Sequence, residues 1–467
     1  MSNHISASIP WPAWRPPHSR RLKASATQHL EATLTVLLAG SLGAGLELLW
    51  QFAASSSHAL SILLAAAGAS LAWLVFRRIA NGWRVSRTFL AWACLLIFCH
   101  ALAGLQVTDN LRRHGSWLTE SDDRWYITTA SEFSQELRSA EGWSGYVGTY
   151  NTLAGTSNPG YTVLLAHLFA FLDGDERLQI RTALVVNIHS ALLAFAIIIR
   201  LAGVAGRRWL KFLGLSLTAG FEIFYFATTT LKDSVVLLAL LLALWGVLAV
   251  EARRKSIFSW LLIASSAPAL LFLRATFLFL PAGALALLLI LSRRRRRLPV
   301  RLRDLIPLAV VAVCLAGFTQ TEWYSRSQAA GPYDINNLRE RMDRTEGAGY
   351  GEKVHRLPVI GPVVFTLISP IPPTPKSLAL ALELHTFSLV DVARGLSTVA
   401  TLVVLAGVFL GSRSGGHRLD ITSAVFAAVA GAALLFAAYA SLEARHKLAS
   451  TASLILIYSR QRYRVAL

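Results

Sequence analysis

The chain is interrupted again and again by long apolar runs that carry almost no charge, among them 234–250, 276–291 and 396–410. Such a run restricts the fold more than any other feature of the sequence. In hydrocarbon no water is present to satisfy a backbone N–H or C=O, so a segment crosses only as a helix or as part of a closed barrel. The runs show no two-residue alternation, and about 20 apolar residues suffice for one helical crossing. The mean hydropathy of +0.50 over 467 residues excludes an ordinary soluble domain. An all-α polytopic membrane protein follows.

Spans are expected near 31–53, 58–76, 88–107, 181–199, 209–228, 234–250, 257–273, 276–291, 304–320, 395–411, 421–440 and 448–458, about twelve in all. Residues 1–28 hold Arg15, Arg20, Arg21 and Lys23 among prolines and tryptophans, with no apolar stretch. They read as a basic cytoplasmic tail, not a signal peptide. Residues 29–467 then form one polytopic domain. Cys94, Cys99 and Cys314 all fall within apolar runs and offer neither metal spacing nor a disulfide framework.

The net charge of +19 raises the question of nucleic acid, and its distribution answers it. With the N-terminus inside, the cytoplasmic segments collect 27 of the 45 lysines and arginines. They collect only Glu251, Asp304 and Asp420 among the acids. Positive charge on the cytoplasmic side is the usual topological signal. The five arginines at 293–297 are therefore a topology anchor, and no nucleic-acid partner is expected. Both ends of the chain lie inside on this reading.

Two outer stretches, 108–180 and 321–394, break the regular pattern. The first ends in Gly160–Leu172, too short to cross comfortably and bounded by Asp173, Asp175 and Glu176. It reads as a helix lying on, or dipping into, the outer leaflet. The second has a polar part, 325–356, then Pro358, Pro362, Pro370, Pro372, Pro373 and Pro375. Proline at that density fits a re-entrant or surface-lying segment, and 377–392 offers one further interfacial helix.

On this topology the ionisable residues at the outer ends of the spans converge. Asp122 and Asp123 lie in the first outer loop, Lys232 and Asp233 at a tight outer turn, and Arg274 between two apolar runs. Arg445, His446 and Lys447 stand at the last outer turn. Charged groups at membrane depth are costly and mark sites or pathways. Simpler roles stand beside this one. An exposed acid pair is ordinarily solvated, Lys232-Asp233 can cap the helix that follows, and Arg274 can snorkel to headgroups. Glu47 and Glu222 lie deep in spans and are expected protonated or paired. His100, His167 and His189 read as hydrogen-bonded core or interface residues.

A carboxylate can take the proton of an acceptor hydroxyl while cations hold a departing lipid phosphate. The sequence from Asp122 to Ala130, Asp-Asp-Arg-Trp-Tyr-Ile-Thr-Thr-Ala, resembles the first-loop signature of the GT-C class of polytopic glycosyltransferases. The branch in question contains the protein O-mannosyltransferases and the aminoarabinose transferases of lipid A. Asn158-Pro159-Gly160-Tyr161 looks like that family's juxtamembrane segment, and Lys232-Asp233, Leu273-Arg274 and Arg445-His446-Lys447 resemble its later outer motifs. The resemblance covers residues 108–320 well and the last 70 loosely. It departs at Arg124, which does not directly precede Tyr126, and at Asn-Pro-Gly, which stands where a Lys-Pro-Pro is usual.

The resemblance implies an inverting glycosyltransferase in a cell membrane, the inner membrane of a bacterium. It would move a sugar from a polyprenyl-phosphate carrier to a glycan, lipid or protein acceptor on the outer face. It makes Asp122 the general base and Asp123 a second acidic contact, with Tyr126, Lys232, Asp233, Arg274, Arg445 and Lys447 on the substrates. Membrane lipids surround the protein. No cofactor is required, although the acids could recruit a divalent metal. One rival is an O-antigen polymerase or ligase using Arg326, Arg339, Arg341, Arg344, His355 and Arg356; another is a non-enzymatic lipid or solute transporter.

Overall fold

The computed structural model describes residues 87–118, 121–141, 145, 159–172, 174–202, 208–252, 257–296, 360–368, 389–413, 420–437 and 447–463. Among these every regular element is helical. The helices are α1 (Arg87–His114), α2 (Ser121–Ser139), α3 (Gly160–Leu172), α4 (Glu176–Ala202), α5 (Arg208–Ala219), α6 (Phe221–Ala227) and α7 (Asp233–Ala252). There follow α8 (Ile257–Arg274), a 3₁₀ turn (Ala275–Leu278), α9 (Phe279–Arg296), α10 (Ile360–Ile368), α11 (Leu389–Arg413), α12 (Ile421–Phe436) and α13 (Leu448–Tyr463). Three are long and apolar enough to cross a membrane, over Trp92–Leu111, Glu176–Ala202 and Val392–Leu410. The spans expected at 31–53, 58–76 and 304–320, and the segment 321–359, lie outside the described residues.

The apolar runs explain the packing. α7 is apolar on all sides, which suits a helix surrounded by others, and it packs against α4, α8 and α9. An aromatic group joins the centre: Phe195 of α4 stacks on Phe212 of α5 and meets Trp92 and Phe224 edge-on. α11 shows the opposite distribution. Ser397 and Thr401 turn inward, whereas Leu396, Val399, Val403 and Leu410 are exposed at helical spacing. A stripe of that kind suits hydrocarbon, and this helix is among those long and apolar enough to cross a membrane.

The run expected as one span at 209–228 is instead two helices, α5 and α6, broken at Gly220. A Cβ there would stand 2.5 Å from the Ser216 carbonyl oxygen and 2.8 Å from Ile455, so the chain passes only as glycine. The break releases the Ala219 carbonyl from the helix ladder. The hydroxyls of Ser397 and Thr401 both donate to it, at 3.2 and 2.8 Å. A broken helix survives in an apolar interior only with such replacements.

The two ends of the bundle are defined by contacts. At one, the turns following α6 and α8 gather with the starts of α2 and α3. At the other, Arg460 of α13 donates to the Leu201 carbonyl of α4 and to Asp420, whose carboxylate also caps α12 through the Ser423 N–H at 2.8 Å. The proline-rich patch contains a helix, α10. Pro362 falls in its first turn, where the missing N–H costs nothing.

Candidate functional site

The acid pair sits on a helix, not in an irregular loop. Ser121-Asp122-Asp123 forms the first turn of α2, where negative charge meets the positive end of the helix dipole. Tyr126, Ile127, Ala130 and Phe133 of α2 are buried at helical spacing, and Asp123 falls on that same face. Asp123 is only 4% exposed, and its carboxylate accepts a 2.7 Å hydrogen bond from the Thr230 hydroxyl. Asp122 stands one residue earlier in the same turn.

α3 occupies Gly160–Leu172, the segment the sequence marks as a short helix, and it runs beside α2. Arg138 near the end of α2 donates to the Phe169 carbonyl of α3 at 2.8 Å, while at the other end Tyr161 meets Tyr126 edge-on at 5.3 Å. Gly160 lets α3 begin directly against α8. A Cβ there would meet the Phe272 backbone at 2.8 Å.

The turn between α6 and α7, residues 228–232, is the centre of the site. Asn187, fully buried in α4, donates both amide hydrogens to it, to the Thr229 and Leu231 carbonyls at 2.7 Å each. Its carbonyl oxygen accepts from the Tyr161 hydroxyl at 3.2 Å. Two carbonyls opposite one nitrogen fix the orientation of this amide. Gln106 of α1 supports the same turn, donating to the Tyr225 carbonyl and the Thr228 hydroxyl. The turn therefore presents Thr230 to Asp123 and lays the Lys232 ammonium over the Tyr126 ring at 5.4 Å. This distance is within cation–π range.

Asp233 opens α7, and its partner comes from 41 residues away. Arg274 Nη1 lies 3.4 Å from Asp233 Oδ1, with both side chains nearly buried, and its guanidinium also lies over Phe277. The sequence around Arg274 gives no sign of this carboxylate partner. Burial pushes the Tyr161 phenol well above its ordinary range. Asn187 opposes this, and the charges of Asp123, Tyr126 and Asp233 add to it. Asp123, Tyr126, Lys232, Asp233 and Arg274 are thus brought to one centre around Tyr161 and the 228–232 turn.

Lys447 goes elsewhere. It stands just before α13 and faces Glu222 of α6 at 3.5 Å, together with Arg394 of α11 at 3.7 Å. The expectation that Glu222 is paired is met. Arg445 and His446, and all the arginines of the 325–356 stretch, lie outside the described residues. His167 and His189 set Nδ1 against the carbonyl four residues back, as satisfied helix residues do. Among the described residues no group of three or more His, Cys, Asp or Glu could hold a metal.

Sequence reasoning gave no role to Asn187, Thr230 or Arg394. Asn187 and Arg394 carry a readable signal, a strongly polar residue within an apolar run. Thr230 opens the Thr-Leu-Lys-Asp turn that resembles an outer motif of the family, but nothing in the sequence pairs it with Asp123. Comparison with family models, with curated proteins and with solved structures gives no match.

Proposed function

We propose that the chain is a membrane glycosyltransferase that uses a polyprenyl-phosphate-linked sugar, with the acid-pair centre at the outer face. The observation that carries the reading is the meeting of Asp123, Lys232, Asp233 and Arg274 in one nearly buried centre at the ends of helices. The acceptor hydroxyl attacks the anomeric carbon from the face opposite the phosphate. The new C–O bond forms as the bond to the phosphate oxygen breaks, with inversion. The hydroxyl proton passes to Asp122, and the lipid phosphate leaves with the electron pair. Asp123, engaged by Thr230, positions the turn and the acceptor. Lys232 and Arg274 stabilise the charge that grows on the leaving phosphate.

The test is release of lipid phosphate from labelled polyprenyl-phosphate sugars by the purified protein. Asp122→Asn is expected to lower turnover by about 10²–10⁴-fold, the usual worth of a general base, with donor binding little changed. Asp123→Asn should cost less. An inactive Asp123→Asn beside an active Asp122→Asn would move the base to Asp123. Full activity in both, at wild-type expression, would end the proposal.

A further inference from the structure

Trp117 stands where two helices long and apolar enough to cross a membrane come together, just after α1 and beside the beginning of α4. Gly115 follows α1 in the left-handed region, at φ 65°, a conformation glycine adopts without a steric penalty. Asn110 then donates to the Trp117 carbonyl at 2.8 Å, which holds the ring against the first turns of α4. Arg177 and Arg181 are four residues apart and so lie on one face of α4. Their guanidinium groups are 5.7 and 6.0 Å from the centre of the Trp117 ring. Beside Trp117, the Ser116 hydroxyl accepts from Arg124 of α2 at 3.5 Å. Three arginines from two helices thus gather on residues 116 and 117.

Arg124 and Arg177 are exposed, and neither makes an ion pair among the described residues. The acids around them are directed elsewhere. Asp123 on α2 turns inward to Thr230. Asp175 caps α4, accepting from the Leu178 N–H at 2.9 Å. Glu176 precedes Arg177 and lies about 100° around the helix from it, at the positive end of the helix dipole.

Next to the arginines the surface turns apolar. Phe171 near the end of α3 is 87% exposed, and Leu172 and Leu178 are exposed with it. The turn that carries them is tight. A Cβ on Gly174 would stand 2.2 Å from the Leu178 side chain, and Gln179 donates to the Gly174 carbonyl at 3.3 Å. Apolar side chains held outward beside exposed guanidinium groups and a tryptophan match the edge of a bilayer, where acyl chains give way to phosphates. A guanidinium fork fits phosphate oxygens. The aromatic ring that could seat a choline ammonium is already engaged by guanidinium groups, so the matching headgroup is anionic and not zwitterionic.

We propose that this corner is a docking surface for anionic phospholipid, in which Arg124 and Arg177 take headgroup phosphates beside Trp117 while Phe171, Leu172 and Leu178 enter the acyl layer. The inference goes beyond the glycosyl-transfer reading and needs from it only the membrane location. Glycosyl transfer is not the readout, so failure of that reading leaves the following outcomes standing.

The full chain, delipidated in maltoside detergent, is titrated with phosphatidylglycerol and separately with phosphatidylcholine, and retained lipid is measured by native mass spectrometry. The wild type is expected to hold phosphatidylglycerol at least about fivefold more tightly, the worth of one basic residue at an anionic surface. Arg124→Gln and Arg177→Gln should each weaken phosphatidylglycerol binding by about the same fivefold. They should leave phosphatidylcholine binding unchanged, which a damaged fold would not do. Arg177→Lys keeps the charge without the fork and should recover part of the loss. Lys211→Gln changes an exposed lysine of α5, beyond the other end of α4, and should have no effect. The apolar tip is tested in nanodiscs containing phosphatidylglycerol, with labelling located by peptide mass. Phe171→Cys should react with a water-soluble maleimide at least about tenfold more slowly than Glu132→Cys on the exposed face of α2. Equal affinity of the wild type for the two lipids, an equal loss in Lys211→Gln, or equal labelling at 171 and 132 would overturn the proposal. Displacement of bound phosphatidylglycerol by an equal concentration of polyprenyl phosphate would overturn it too, and would give the corner to the lipid-linked donor.

Discussion

Asn187→Leu is the sharpest structural test, because one side chain fastens α4 to both the α6–α7 turn and α3. Leucine keeps the volume and removes three hydrogen bonds, two of 2.7 Å to turn carbonyls and one of 3.2 Å from Tyr161. Side-chain hydrogen bonds between membrane helices average about 0.6 kcal/mol each, which sets a lower bound near 2 kcal/mol. The Leu231 carbonyl belongs to a residue that is 2% exposed, so water cannot easily replace the lost donor. An unsatisfied buried acceptor costs about 1–3 kcal/mol, which brings the expected loss to about 2–4 kcal/mol. Asn187→Asp should be worse, since a carboxylate offers nothing to two carbonyls and repels both. The local consequence is release of the turn. A cysteine at Thr229 should react with a water-soluble maleimide at least about 30-fold faster in the Asn187→Leu background, the equivalent of 2 kcal/mol of opening. An unchanged labelling rate with an unchanged denaturation midpoint would refute the claim that Asn187 holds the site.

Gly220→Ala should destabilise the protein by about 1–3 kcal/mol through overpacking against Ser216 and Ile455. Gly214→Ala on the same run, with open space around it, should be close to neutral in the same unfolding assay. Arg274→Ala strands the Asp233 carboxylate, at a cost of about 3–5 kcal/mol. Asp233→Asn in the same chain should recover part of that cost, and strict additivity of the two changes would show that the pair is not coupled. Burial alone would raise the Asp420 carboxyl, but hydrogen bonds and charge from Arg460, with Ser423, outweigh it and hold the group down to about 2, against an ordinary 3.8. A depressed acid stabilises the fold above its unfolded value and loses that contribution as pH falls through the folded one. The melting difference between wild type and Arg460→Gln should therefore be full at pH 5 and shrink between pH 4 and 2.

Much of this protein was readable before any coordinates. Charge-free runs dictated helices, because a backbone in hydrocarbon has no other way to satisfy itself. Gly160–Leu172 was legible to the residue, since acids close it at one end and Pro-Gly opens it at the other. The residue types able to do chemistry stood out as rare charges at the ends of apolar runs. Their partners did not. Nothing near Arg274 in sequence indicates Asp233, nothing near Lys447 indicates Glu222, and the lone Asn187 gives no hint that it fastens a turn more than 40 residues away. Periodicity and desolvation act over a few residues along the chain. Ion pairs and buried amides form between helices that are brought together only by packing, and the same packing turned Asp123 inward and broke the 209–228 run at Gly220. The sequence chose the helices and the candidate side chains, and the bundle decided which charges face one another.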